Sequence, residues 1–329
     1  MENYIPPFEI TDYILMKVSQ ICEKVGIISS TMNFDSRLHL RRNNRIRSIY
    51  SSLKIEANSL SLDQVRDVIN GKLVLGEAKE IQEVKNAYEA YESLLEINTT
   101  SIDDLLKYHG ILTKYLLNET GKFRSKEEGV FDGETCIFVA PPARYVRELI
   151  EQLIQWMGNV QDVLHPLIIA CVFHYEFVFI HPFADGNGRM ARLWHTAILT
   201  KWRDIFAYIP LESQIEKFQN EYYDAISICH KNGSSTVFIE FMLEQLDLIL
   251  DEVMSKHKDD EALSECEKKL LNVMEYDVPY TRDSLMSRVN IKSIRSFRDN
   301  YLVPAMKSGL VQMTIPDKPN SRNQRYIKK

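Results

Sequence analysis

The sequence predicts a mainly α-helical protein: a helical bundle with one β-hairpin flap, followed by a small C-terminal winged helix-turn-helix domain. Three observations carry this. Apolar residues recur at helical spacing through most of residues 12–258. Residues 121–142 break that period and read as a hairpin. Beyond residue 262, short helical patterns precede two extended runs, the element order of a winged helix. The expected domains are an N-terminal helical region (1–80), a core (81–258) and the winged helix (262–329).

The first helix is expected over 12–25, with Tyr13, Leu15, Met16 and Val18 apolar and Gly26 as a stop. A longer helix is expected over 36–58. It starts basic (Arg37, Arg41, Arg42) and then shows Ile46, Ile49, Tyr50, Leu53 and Ile55 at helical spacing. Ser61 with Gln64 reads as a capping box, and Gly71 as the end of that short helix. Amphipathic helices over 77–97 and 101–117 follow; His109 lies on the apolar side of the second and reads as a packed core histidine. Val130-Phe131 and Cys136-Ile137-Phe138-Val139 flank Asp132-Gly133-Glu134-Thr135 as two strands and a turn. Helix resumes over 143–157 and continues to about 258, with a loop near Pro210 and a break at Gly233. Residues 259–264 read as a linker. After it come helices over 266–275, 282–288 and 293–307, then extended runs over 310–315 and 324–329.

The chain has 329 residues, room for two or three domains. Its five cysteines are scattered, odd in number and without CxxC spacing, which argues for a reducing compartment and against a disulfide framework or zinc finger. No charged start precedes an apolar run, and the longest apolar stretch, 167–180, contains His174 and Glu176, so neither a signal peptide nor a membrane span is expected. A cytoplasmic protein without membrane partners is the expectation. The net charge of -6 is uneven. Residues 280–329 hold eleven Lys and Arg against three Asp, a local excess of +8, so the C-terminal region suits an acidic partner.

Chemistry concentrates in one segment, His181-Pro182-Phe183-Ala184-Asp185-Gly186-Asn187-Gly188-Arg189-Met190-Ala191-Arg192. The glycines let the backbone bend at the start of a helix, where free N–H groups and the helix dipole favour an anion. Arg189 and Arg192 are three apart on one helix face and can reach one polyphosphate. Asp185 supplies the hard oxygen that a phosphate-bound Mg2+ takes. His181, next to the helix start, has its charged form disfavoured and suits a general base. The segment reads as a nucleotide site, and it is neither a P-loop nor a dinucleotide fingerprint.

It matches at every specified position the signature of the Fic family, His-x-Phe-x-Asp/Glu-Gly-Asn-Gly-Arg-x-x-Arg. The preceding His174-x-x-Phe177-x-x-Ile180 also resembles the helix that leads into that motif, and the resemblance covers about residues 36–250. It implies a Fic-type helical bundle and transfer of AMP from ATP to a hydroxyl of a target protein. His181 would then be the base and Asp185 the holder of Mg2+. Gly186, Asn187 and Gly188 would cradle phosphate, Arg189 would neutralise the leaving pyrophosphate, and Arg192 would engage the γ-phosphate. Gly188 stands where phosphate-transferring members carry lysine, which favours AMP transfer. Phosphocholine transfer and removal of AMP stay open, as does a nucleotide-binding switch without transfer.

Family members are often restrained by a helix carrying Ser/Thr-x-x-x-Glu-Gly/Asn. Ser52-Leu53-Lys54-Ile55-Glu56 resembles it, with Ala57 in place of the glycine or asparagine. Glu56 paired with Arg192 would then block the γ-phosphate. The hairpin resembles the family's flap, with Ile137 or Phe138 as an exposed apolar contact for a target strand. Tyr222 and Tyr223 line either an adenine pocket or the core. Self-modification, a homodimer, and DNA or protein docking by the C-terminal domain complete the expected partners.

Overall fold

The computed structural model describes residues 4–31, 38–132, 135–261, 263–274 and 278–328. It divides into two compact units, the first made of Met1–Thr31 and Asn44–Asp251, the second of Met32–Asn43 and Glu252–Lys329.

The first unit is built around α7 (Pro166–Ile180) and α8 (Asn187–Trp202). Its other helices are α1 (Asp12–Thr31), α2 (Leu38–Ile55) from Asn44 onward, α3 (Leu62–Ile69), α4 (Ala78–Glu92), α5 (Ile102–Leu112), α6 (Val146–Val160), α9 (Leu211–Lys217), α10 (Gln219–Asn232) and α11 (Thr236–Glu261) as far as Asp251. Helix α7 is apolar on all sides, the pattern of a helix enclosed by others, and every residue from Leu167 to Phe177 is buried. Pro166 sits at its first turn, where a missing N–H costs nothing, and the His165 ring accepts from Leu167 N. Helix α8 is buried from Arg189 to Thr200, so its two arginines enter the core rather than the solvent.

The hairpin pairs β1 (Gly129–Asp132) with β2 (Thr135–Val139) in antiparallel register, with a shift between Val130 and Phe131. Its expected turn residues Gly133 and Glu134 lie outside the described residues, as do Ser36 and Arg37 of the expected second helix. The Ser61–Gln64 capping box is present in full, and Gly71 (φ 72°) follows that helix in the left-handed region. Gly26 does not stop α1, whose next turn buries Ile28. Conversely, α4 ends at Glu92 and passes into a 3-10 turn, Leu94–Glu96, and α5 ends at Leu112; both stop short of the apolar pattern. Lys17 on α1 pairs with Glu244 (2.6 Å) and Asp247 (2.8 Å) on α11.

In the second unit, α12 (Glu265–Asn272) and α13 (Arg282–Arg288) precede α14 (Ile294–Phe297). A π-turn (Arg298–Leu302) joins α14 to α15 (Val303–Lys307), and β3 (Val311–Met313) pairs antiparallel with β4 (Tyr326–Lys328). Their core gathers Leu270, Met274, Leu285, Phe297, Ala305 and Val311. Helix α11 runs to Glu261, so the expected linker begins as helix; Ala262 lies outside the described residues. Among the described residues, no helix is long and apolar enough to cross a membrane.

Candidate active site

The twelve-residue segment forms the turn between α7 and α8. His181 closes α7 with a left-handed backbone (φ 52°, ψ 59°), its N–H bonded to the Phe177 carbonyl. A non-glycine residue there carries strain of about 1–2 kcal/mol, held by its surroundings. Those surroundings are Arg124, which the sequence reading passed over. Its Nε donates to the His181 carbonyl (2.7 Å) and its backbone N–H to the Pro182 carbonyl (2.9 Å). Further bonds reach the carbonyls of Lys126 (2.9 Å) and Pro141, so the same guanidinium fastens the base of the hairpin. Burial, aided by the Arg124 charge, holds the His181 imidazolium below its usual range, which leaves a neutral ring able to accept a proton.

Asn187 corrects one expectation. Its side chain is buried and does not face an anion: Oδ1 accepts from Phe183 N (2.9 Å) and Nδ2 donates to Phe183 O (2.7 Å). It staples the turn shut with Phe183 fully enclosed. Gly186 (φ 82°) caps α8, and a Cβ there would come within 3.3 Å of Thr113. Its N–H donates to Asp185 Oδ1 (2.6 Å), while Asp185 Oδ2 takes Arg189 Nη2 (3.2 Å). On its other edge, Arg189 Nη1 lies 3.5 Å from Glu83 Oε1.

Arg192 is almost fully buried, and three of its contacts come from Ser52 on α2 and from Glu56 just beyond its end. Nη2 donates to Glu56 Oε1 (2.7 Å) and to the Ser52 carbonyl (3.0 Å); Nε donates to Ser52 Oγ (3.1 Å). Burial opposes the Arg192 charge, but the Glu56 carboxylate outweighs it and the pKa moves up. Glu56 also lies over Gly188, where a Cβ would stand 2.5 Å from its Oε1. At the end of α2, Asn58 N–H bonds Leu53 O (3.1 Å) and Ala57 N–H bonds Lys54 O (3.0 Å), with Ala57 at φ 63°. This is a Schellman end, in which the left-handed position favours glycine. The rest of α2 is fastened by Ser51 to Glu216 (2.6 Å) and by Gln219 to the Ile55 carbonyl (3.1 Å).

Tyr222 is corrected to the core: it is buried, its hydroxyl sits 2.9 Å from His174 Nε2, and Phe238 and Phe241 flank its ring. Tyr223 is half-exposed and meets Tyr222 edge-on. On the flap, Phe138 turns inward. Its ring stacks on His230 (4.1 Å) and contacts Phe179 (5.3 Å), so it is not the exposed contact expected. The side chain of Ile137 lies outside the described residues, and among the described side chains of the hairpin the exposed apolar one is Val139. His174 on Tyr222 and Glu176 on Tyr4 (2.6 Å) are occupied with protein partners, not placed for a metal.

Among the described residues no three His, Cys, Asp or Glu converge on a metal position. A phosphate-borne Mg2+ asks less of a protein, one or two carboxylates beside the phosphates. Asp185 meets that demand, with a side chain 44% exposed at the mouth of the turn.

A Fic family protein from Desulfovibrio desulfuricans G20 shares 41% identity over 99% of this chain and 98% of its own, with a TM-score of 0.74. The chain belongs to the Fic family. The Fic/DOC family profile matches residues 99–199, and the Fic-like C-terminal domain profile ("Filamentation induced by cAMP protein Fic-like") matches 267–327. Curated relatives of this Fic protein are named protein adenylyltransferase Fic. The one from Nematostella vectensis is 29% identical over 215 residues, covering 62% of this chain and 47% of its own. The one from Aedes aegypti is 28% identical over 230 residues, covering 66% and 44%. The chain thus spans about half the length of the curated relatives it matches. Caenorhabditis elegans Fic-1 (residues 134–508) shares the fold, at TM-score 0.63 and 22% identity over 75% of this chain and 73% of that one.

Proposed function

We propose that this protein transfers AMP from ATP to a Ser, Thr or Tyr hydroxyl of a target protein, and that Glu56 holds it inactive through Arg192. The observation that carries the reading is the Glu56–Arg192 pair, 2.7 Å long and set against a complete motif turn. A buried guanidinium at a helix start suits a phosphate, and here a carboxylate from the turn after α2 occupies it.

In the reaction, the hydroxyl oxygen of the target bonds the α-phosphorus of ATP and the bond to the pyrophosphate oxygen breaks. His181 takes the hydroxyl proton. Arg189 would neutralise charge on the departing pyrophosphate, and Arg192, once released from Glu56, would hold the terminal phosphate. The α8 N-terminus adds its dipole, and such fixed charges supply most of the rate in transfers of this kind. Asp185 would hold Mg2+, which supplies charge neutralisation at the phosphates. With Glu56 in place, Arg192 is denied to the γ-phosphate and ATP cannot adopt the productive pose.

The test is intact mass after incubation with ATP and Mg2+. Glu56→Gly is expected to gain one or more AMP adducts, and Glu56→Gly with His181→Ala none. A Glu56→Gly protein that stays unmodified and modifies no protein of a lysate would remove the reading.

For the second unit, nucleic acid is the partner its charge favours. Lys292, Arg295 and Arg298 are exposed around α14, and Lys318 and Arg322 are exposed between β3 and β4. Asp299 pairs with both helix arginines (3.7 and 3.3 Å), which moderates that face without reversing its sign.

A further inference from the structure

His109 belongs to α5, outside the motif, yet both of its ring nitrogens are committed around the motif turn. The ring is 1% exposed and lies flat on Phe183, with centroids 3.7 Å apart and planes 4° from parallel. On one side, Gly121 N–H donates to Nδ1 (3.0 Å); on the other, Nε2 stands 3.1 Å from the carbonyl oxygen of Asp185. A ring nitrogen that accepts from an N–H carries no proton itself, so the proton resides on Nε2 and is donated to Asp185. The tautomer is thus set by two backbone groups. Burial keeps the ring neutral, with a pKa pushed down to about 4. Gly121 is itself constrained to this place. It has φ 65°, and a Cβ on it would meet the Leu106 carbonyl at 2.9 Å.

The bonded carbonyl is half of the Asp185–Gly186 peptide. In a trans peptide the C=O and the following N–H point in opposite directions. With the carbonyl turned to His109, the Gly186 N–H is turned away from α5, toward the side where Asp185 and Arg189 meet. Glycine at 186 gives this peptide little resistance to flipping, because both signs of φ are open to it. A flipped peptide would present an oxygen where the anion-binding edge of the α8 N-terminus needs a donor.

We propose that His109 is a positioning residue, which holds the Asp185–Gly186 peptide so that its N–H, not its carbonyl, faces the phosphate side of the turn. Its effect on rate rests on the AMP-transfer reading; its effect on the turn does not.

Two conservative variants separate the two halves of the imidazole. His109→Gln places an amide N–H near the Nε2 position and keeps the donor to Asp185. His109→Asn places an amide oxygen near the Nδ1 position, keeps the acceptor for Gly121 and loses that donor. Each is made in the full chain carrying Glu56→Gly. In the Asn variant, kcat for AMP transfer is expected to fall about tenfold or more, the scale of one lost hydrogen bond with an unsatisfied carbonyl left behind; the Gln variant should stay within about threefold. Amide hydrogen exchange of residues 181–188 provides a readout independent of chemistry. It should accelerate in the Asn variant, stay near the parent in the Gln variant, and leave α8 beyond Arg192 unchanged in both. Equal behaviour of Gln and Asn in exchange, or unchanged exchange of the turn in both, overturns the proposal. If the Glu56→Gly parent transfers nothing, the AMP-transfer reading fails, and the exchange comparison still decides the role of His109.

Discussion

A methyl group at Ala57 occupies a left-handed backbone position (φ 63°) that glycine or asparagine fills at lower cost. The two hydrogen bonds of the Schellman end hold it there, directly after Glu56. Ala57→Gly should therefore raise the unfolding free energy by about 1 kcal/mol and leave the Glu56–Arg192 pair intact. Chemical denaturation measures this, and a lower midpoint in the glycine variant would contradict the strain. Residues differ in how far the sequence exposed them. The motif was legible because its eight defining positions fall within twelve residues. Glu56 is legible only through its resemblance to the Ser/Thr-x-x-x-Glu pattern, since 136 positions separate it from Arg192. Arg124 and His109 were not legible as site residues, because their partners are backbone carbonyls and an N–H, which leave no side-chain pattern. Asn187 was assigned to phosphate for the same reason: a side chain that bonds its own loop looks, in sequence, like one that bonds a ligand.

Helix α7 carries a carboxylate that its apolar surroundings do not favour. Glu176 is 3% exposed, and burial pushes its pKa up to about 7, against the partly offsetting bond from the Tyr4 hydroxyl. The folded protein binds this proton more tightly than the unfolded chain does, so the stabilisation is full below the ordinary carboxylate range and is lost as pH rises toward 7. Glu176→Gln should therefore flatten the dependence of Tm on pH between about 4.5 and 7 relative to the parent. Parallel slopes in the two proteins would show that Glu176 titrates as it does unfolded. At this scale the helices followed from apolar spacing, and the capping box at Ser61 fixed one start. Their ends did not follow, because α1 passes Gly26 to bury Ile28, and α4 yields to a 3-10 turn within an unbroken apolar pattern. The flap was legible as a hairpin. The direction of Phe138 was not, since it depends on His230 and Phe179, far away in the chain.

Across the whole molecule, charge is distributed by unit, with the excess of basic residues in the C-terminal fifty positions of an acidic chain. If nucleic acid is the partner, the full chain should retard a DNA duplex in a gel at low salt and lose it steeply as salt rises, because counterion release dominates such binding. Arg295→Glu with Arg298→Glu should abolish the shift. Retardation insensitive to these changes, or none at low salt, would point the unit toward protein docking instead. The sequence predicts three regions, 1–80, 81–258 and 262–329, where the structure divides into two units, Met1–Thr31 with Asn44–Asp251 and Met32–Asn43 with Glu252–Lys329; the π-helical turn at Arg298–Leu302 leaves no mark in apolar spacing. The space that a Cβ at position 188 would need is already taken by the Glu56 carboxylate. A side chain there must displace that carboxylate, so a substitution changes the motif turn and the seat of Glu56 in the same event. On the proposed reading, chemistry and restraint share one locus, and a lineage that remodels this glycine must find its brake elsewhere or run without one.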